Sequence, residues 1–218
     1  TWMNNPESQM VAVTVRAGSK AEMALPDGTF VHLNAATNLE YDVNNSKQRL
    51  VKLSGEAFFD VAKNPDCPFK VIINDLQIEV VGTSFNVKTY KKDIVETSLL
   101  SGRIRISGGS LPHEYTLSPG QKATYSAMDR TLRISKADAH VEAGWRDNYL
   151  IFESTPLIDV IAQIERWYGV EIRLHHKQIA QDLLSGSFRN ESIQNVIRSL
   201  SIQYGFKYEI HKDIITIY

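Results

Sequence analysis

At 218 residues, with 43% hydrophobic and 22% charged residues, the chain has ordinary globular composition and room for one or two domains. Its 24 basic and 25 acidic residues give a formal charge of −1 and are spread without blocks, which removes the basic footprint of a nucleic-acid binder. No apolar run approaches the roughly 18 residues that span a bilayer, and a single cysteine, Cys67, excludes an internal disulfide.

From about Val11 to Lys136, short stretches alternate apolar with polar residues: Val11-Val13-Val15, Leu76-Ile78-Val80, Ile104-Ile106 and Leu132-Ile134. Period-two patterning of this kind predicts half-buried strands. Turn residues punctuate them at Pro26-Asp27-Gly28, Asn44-Asn45, Asn64-Pro65-Asp66, Asn74-Asp75, Gly108-Gly109 and Ser118-Pro119-Gly120. About a dozen short antiparallel strands divided this way predict an all-β sandwich, barrel or β-roll. Phe58, Phe59, Phe69 and Phe85 are predicted to fill its core, because aromatics bury large areas. An echo of Leu53-Ser54-Gly55 in Leu100-Ser101-Gly102 points to related hairpins.

Residues 137–148 show neither periodicity and read as a linker between a domain over 1–136 and another over 149–218. Trp145 is expected to dock that linker.

The second domain is duplicated. At an offset of 36 residues, Phe152 to Phe188, Val160 matches Val196, Ile161 matches Ile197, Tyr168 matches Tyr204 and Gly169 matches Gly205. Leu157, Val160, Ile161, Ile164 and Tyr168 fall on one helical face. Ser154 or Thr155 is the expected cap, Pro156 fits the first turn, and Gly169 supplies a left-handed stop. Val170, Ile172 and Leu174 then alternate as a strand. The second copy repeats the pattern with Asn190 as cap, Gly205 as stop and Phe206, Tyr208 and Ile210 alternating, before a last strand through Ile214, Ile215 and Ile217. Two strand–helix–strand units with both helices on one face of a small mixed sheet follow. Two copies are too few for a solenoid, and the duplication points to a binding module.

Signatures of catalysis are missing: no GxSxG, HExxH, CxxC or Gly-rich phosphate loop occurs. His175 and His176 are neighbours, but adjacent strand residues face opposite ways, so no metal site is expected. Glu56 and Asp60 share a strand face with Phe58; a solvated or turn-bonded face is the simpler reading than acid–base chemistry. No cofactor is expected.

Six ordered motifs carry a resemblance: Leu25-Pro26-Asp27-Gly28-Thr29, Val31-x-Leu33-Asn34-Ala35, Leu53-x-Gly55-Glu56-Ala57-Phe58-Phe59-x-Val61, Pro68-Phe69-x-Val71, Val81-Gly82-Thr83-x-Phe85-Asn86-Val87 and Leu117-x-Pro119-Gly120-Gln121. Together they resemble the periplasmic domain of the FecR family of transmembrane anti-sigma factors, of the Bacteroides type. The C-terminal repeat resembles the short secretin/TonB N-terminal-like domain that closes such proteins. The resemblance implies a relay. The periplasmic part of an inner-membrane protein senses the signalling domain of an outer-membrane TonB-dependent transducer, and a cytoplasmic segment holds an extracytoplasmic-function sigma factor. Neither that segment nor a membrane helix precedes Thr1, so a soluble fragment that does not itself bind the sigma factor is expected. The competing reading from another class is a cell-surface β-module that binds glycan.

Two kinds of site follow. Some FecR-like proteins cleave themselves at a Gly-Thr bond, and Gly82-Thr83 is similar, since a Thr hydroxyl can attack the preceding carbonyl. For the partner, the copies place Trp167 opposite Gln203, a position that need not be core. Trp167 with Arg166 is therefore a candidate contact, as these residue types are enriched at hot spots. The last strand, with Ile214, Ile215 and Ile217, is expected to offer a sheet edge to a partner strand.

Overall fold

The structure, a computed structural model, describes residues 9–43, 49–175 and 177–218. The Asn44-Asn45 turn and His176 lie outside the described residues. Two compact units are present. One is built on Lys20–Glu142 and takes in the strand that ends at Val15; the other is built on Ala143–Tyr218 and takes in Arg16–Ser19.

Strands β1 (Met10–Val15), β2 (Ala21–Ala24), β3 (Phe30–Leu33), β4 (Thr37–Asp42) and β5 (Arg49–Ser54) open the first unit. β6 (Glu56–Asp60), β7 (Phe69–Ile73), β8 (Leu76–Val80), β9 (Ser84–Lys88) and β10 (Ile94–Ser101) follow. β11 (Ile104–Gly108), β12 (Tyr115–Leu117), β13 (Gln121–Ser126) and β14 (Thr131–Lys136) complete it. Among the described residues they form two seven-stranded sheets, β1-β4-β5-β7-β8-β11-β12 and β14-β13-β10-β9-β6-β3-β2. All pairings are antiparallel except β5 with β7. The period-two pattern sets which side faces in: along β8, Leu76, Ile78 and Val80 are buried while Gln77 and Glu79 are not. Phe59 packs on Phe69 and Phe85, with ring centroids 5.8 and 5.2 Å apart. Phe58 departs from the sequence expectation. It points to the opposite face from Phe59, where it meets His32, and is 4% exposed without joining that core.

The short sequence echo belongs to a larger duplication. Shifting β3 and β6 by 47 residues, Val31 to Ile78 and Phe59 to Ile106, reproduces the pairing of β8 with β11. The pairs β1–β4, β2–β3 and β4–β5 recur as β6–β9, β7–β8 and β9–β10, each in the other sheet. Each half crosses between sheets at a glycine. Gly55 (φ +113°) joins β5 to β6, and Gly102 (φ +91°) joins β10 to β11. A Cβ on Gly55 would lie 2.6 Å from the Cα of Thr37, and one on Gly102 would lie 3.0 Å from the Cα of Thr83. Only glycine combines this backbone with so close an approach.

The first unit ends in the helix α1 (Ala139–Ala143), whose last residue already belongs to the second, and the second unit opens on a 3-10 turn, Gly144–Asp147, that buries Trp145. Next come β15 (Tyr149–Pro156), α2 (Leu157–Tyr168), β16 (Glu171–Leu174), β17 (Leu183–Arg189), α3 (Ile193–Tyr204), β18 (Tyr208–His211) and β19 (Ile214–Ile217). Two sheets form where the sequence predicted one: β15 with β17, and β16-β19-β18. The first strands of the copies pair with each other, and Phe152–Gly186 maps onto Leu150–Phe188 under the 36-residue shift. A pseudo-twofold axis therefore passes through the facing pair Ile151 and Ser187. The second strands, β16 and β18, lie apart, and β19 fills the gap, parallel to β16 and antiparallel to β18. Both helices contribute to one core, with Leu157, Val160, Ile161, Ile164, Val196, Ile197 and Leu200 buried.

Helix ends differ from expectation at the N-termini. α2 has no side-chain cap; its first amides, Leu157 and Ile158, donate to the carbonyls of Asp182 (2.8 Å) and Ala180 (2.9 Å). Ser192, not Asn190, caps α3 by accepting from the Asn195 amide. Gly169 and Gly205 close both helices in the left-handed region as predicted.

The crossover geometry predicts that Gly55→Ala loses at least about 2 kcal/mol of stability, from strain plus the backbone clash. Urea unfolding measures this; a loss within 0.5 kcal/mol, the range of an ordinary surface change, would count against the account.

Candidate functional site

Gly82-Thr83 sits just before β9, where the chain passes from one sheet to the other. A Cβ on Gly82 would lie 2.8 Å from that of Lys63, so close packing explains this glycine. The Thr83 side chain is buried. Its hydroxyl donates to the Arg103 carbonyl (3.1 Å) and accepts from the Arg103 amide (3.4 Å). Thr37 does the same in the other half, donating to the Glu56 carbonyl (3.2 Å) and accepting from its amide (3.0 Å). Both threonines therefore clamp the residue that follows a crossover glycine. Thr37 follows Ala36, not glycine, so the clamp is independent of a Gly-Thr sequence.

Glu56 and Asp60 occupy one face of β6, and the structure separates their roles. Asp60 is exposed and accepts from the Ser84 hydroxyl (2.7 Å). Glu56 is buried, accepting from Asn34 Nδ2 (2.8 Å) and Asn86 Nδ2 (2.9 Å). Burial pushes its carboxyl above the usual range, against the opposing pull of Lys88, Asn86 and Asn34; Glu142 adds to the rise. Beyond it runs a ladder of charges on the same face. Lys88 lies 3.7 Å from Glu96, and Lys122 lies 2.9 Å from both Glu96 and Glu142. Burial opposes the charge on Lys122, but its two carboxylate partners outweigh that and hold the ammonium above its ordinary value. The ladder thus ties α1, through Glu142, to β10 and β13.

Sequence reading missed Arg49, a lone arginine at a strand start with no motif around it. It is buried, pairs with Asp27 at 3.2 Å and donates to the carbonyls of Cys67 (2.6 Å), Ala62 (2.6 Å) and Asn64 (3.2 Å). A buried charge this fully satisfied fixes the loops it touches. Among the described residues no group of His, Cys, Asp and Glu could hold a metal ion, and no helix is long and apolar enough to cross a membrane.

In the second unit, Trp167 is half-buried and packs against the core of that unit, while its counterpart Gln203 is exposed. Arg166 is also half-buried, and its carbonyl accepts from the Gly18 amide at 2.8 Å. The expected edge strand is corrected. β19 lies between β16 and β18, and Ile215 and Ile217 are each 1% exposed, so Ile214, Ile215 and Ile217 are not available for strand addition. The physical reason is the gap left between the two copies, which only a central strand can fill.

With this geometry in place, comparison with known proteins gives a consistent result. The FecR protein family model matches residues 11–105, and the FecR C-terminal model matches residues 149–217. No curated protein matches the chain. Two crystal structures, each described as a putative anti-sigma factor from Parabacteroides distasonis ATCC 8503, at 1.65 and 2.50 Å resolution, are similar in fold with TM-scores of 0.85 and 0.86. Both are 30% identical; the first match covers 95% of this chain and 98% of the other, the second 96% and 99%. Fold and sequence define a regulatory protein of the anti-sigma class. The chain belongs to the FecR family of anti-sigma factors.

Two outcomes are expected. Because the Thr83 hydroxyl is engaged as that of Thr37 is, purified protein should keep a single intact mass after long incubation; fragments divided between Gly82 and Thr83 would overturn this. Glu56 has a raised folded value, so its protonated form is the one the fold favours. The stability it contributes is present below the ordinary carboxylate value of about 4.3 and lost as pH rises through the folded value. Lys20, Lys88 and Glu142 are the charged groups that face it. Glu56→Gln should therefore gain on the wild type between pH 4 and 7 in urea unfolding; a constant difference across that range would refute the assignment.

Proposed function

We propose that this chain is the periplasmic sensing part of a membrane-anchored anti-sigma factor. In this reading it receives a signal from the signalling domain of an outer-membrane TonB-dependent transducer and relays it to an extracytoplasmic-function sigma factor held by another segment of the same protein. The observation that carries the reading is the order of the two family matches. One falls on the β-sandwich unit and the other on the duplicated unit, and the similar solved structure described as a putative anti-sigma factor aligns over 95% of the chain, so over both units. Fold supports it too: a duplicated unit offers two related surfaces that can diverge separately. Trp167 and Arg166, at the last turn of α2, are proposed as contacts with the transducer domain.

A glycan-binding role has less support. It calls for a flat exposed aromatic platform. In the first unit Phe30, His32 and Phe58 meet edge to face at 78° and 69°, and the stacked pair His113 and Tyr115 has its tyrosine packed against the core.

Calorimetry with the purified signalling domain of the transducer encoded nearest this gene tests the proposal. Micromolar or tighter binding is expected, and Trp167→Ala should weaken it by about 1 kcal/mol or more, the threshold at which an interface residue matters. Absence of binding by the wild type would remove the proposed function. Unchanged affinity of the variant would remove Trp167 alone.

A further inference from the structure

We propose that the free edge of β17, at its Leu183 end, is a strand-addition site for an extended segment of a partner protein, an inference that rests on the sensing role above. β17 pairs with β15 and with no other strand among the described residues. Along its seven residues one side therefore presents backbone N–H and C=O groups without a partner strand, a template for another chain. Other edges in this unit are blunted. β15 carries a register shift between Phe152 and Thr155, a left-handed Ser154 (φ 44°) and Pro156. β16 alternates Glu171 with Arg173, and β18 is four residues long with Glu209 in it. β17 has no proline and no charge before Arg189, and a Cβ at Gly186 would meet nothing within 4 Å.

The two copies diverge at this same end. Leu183 is 61% exposed and Ile158 43% exposed, whereas the residues 36 positions away from them are Asp147 and Gln194. Fold alone does not require an apolar residue where its twin is polar. A second asymmetry lies close by. Tyr168 donates its hydroxyl to the Glu191 carbonyl at 2.8 Å, but the buried hydroxyl of its twin, Tyr204, has no hydrogen-bond partner. The equivalent acceptor would be at Thr155, next to Pro156, the register partner of Leu183. Tyr204 also feels the charge of Asp182, which precedes Leu183. An unpaired buried hydroxyl is a cost that ordinary folds avoid.

A free strand edge selects an extended polypeptide, because only a backbone supplies alternating donors and acceptors at strand spacing. The exposed leucine and isoleucine call for an apolar side chain on that segment. Self-pairing fits poorly: two antiparallel copies of β17 centred on Gly186 would set Leu183 against Arg189.

Hydrogen exchange on the full chain, alone and with the purified transducer signalling domain, tests the proposal. Amides within 183–189 should slow at least tenfold on binding, and Leu183→Asp should weaken binding at least tenfold while its thermal midpoint stays unchanged. Wild-type binding with unchanged exchange at 183–189 would overturn the edge site and leave the sensing role standing. No wild-type binding would overturn both. Slowing that grows with concentration of the chain alone, with a dimer in sedimentation, would assign the edge to a second copy and equally overturn the proposal.

Discussion

The first unit depends on one constraint: a chain that builds two stacked sheets from interleaved strands must cross between them repeatedly without leaving its backbone unpaired. Sheets pack about 10 Å apart, so a strand that ends in one sheet and resumes in the other has to reverse its local geometry within a residue or two. Gly55 and Gly102 make that turn with positive φ, each laid against a threonine whose hydroxyl bonds both backbone groups of the next residue. The duplicated pairing of β1 to β6 with β6 to β11 follows from using the same crossing twice. It also changes the meaning of the Gly82-Thr83 motif, since Thr83 is the clamp of the second crossing as Thr37 is of the first.

The second unit solves a different problem with the same device of duplication. A pair of strand–helix units related by a pseudo-twofold can join their first strands directly, as β15 and β17 do, but the axis that joins those strands separates the second ones. β19 closes that separation and so becomes the most buried strand of its sheet. Its isoleucines read as an exposed edge in the sequence because it comes last; being last in the chain says nothing about position in a sheet. The edge that stays open belongs to β17, in the middle of the unit.

Electrostatics adds a link from the sandwich to the segment that leaves it. Glu56 is held by two asparagines, and from Lys88 onward alternating charges pass through Glu96 and Lys122 to Glu142 in α1. Each partner holds the next, so the ladder acts as a set. A surface pair contributes little, whereas Lys122, with two carboxylates at 2.9 Å and most of its side chain covered, anchors α1 in a defined place.

By itself the sequence determined the element types, the helix stops at Gly169 and Gly205 and the family, because these depend on local periodicity, on backbone conformations that only certain residues adopt, and on ordered motifs. Tertiary structure alone decided what depends on which strands become neighbours. Phe58 faces away from the core that Phe59 fills; the amides of Leu157 and Ile158 are capped by carbonyls from residues 180 and 182, where a local cap was expected; Arg49 joins Asp27 to the segment from Ala62 to Cys67, two places far apart in the chain. The same holds for the partner surface. Comparing copies in the sequence could mark Trp167, but whether a strand is central or an edge is a property of the sheet and not of the residues in it, which is why β19 is closed and β17 is open.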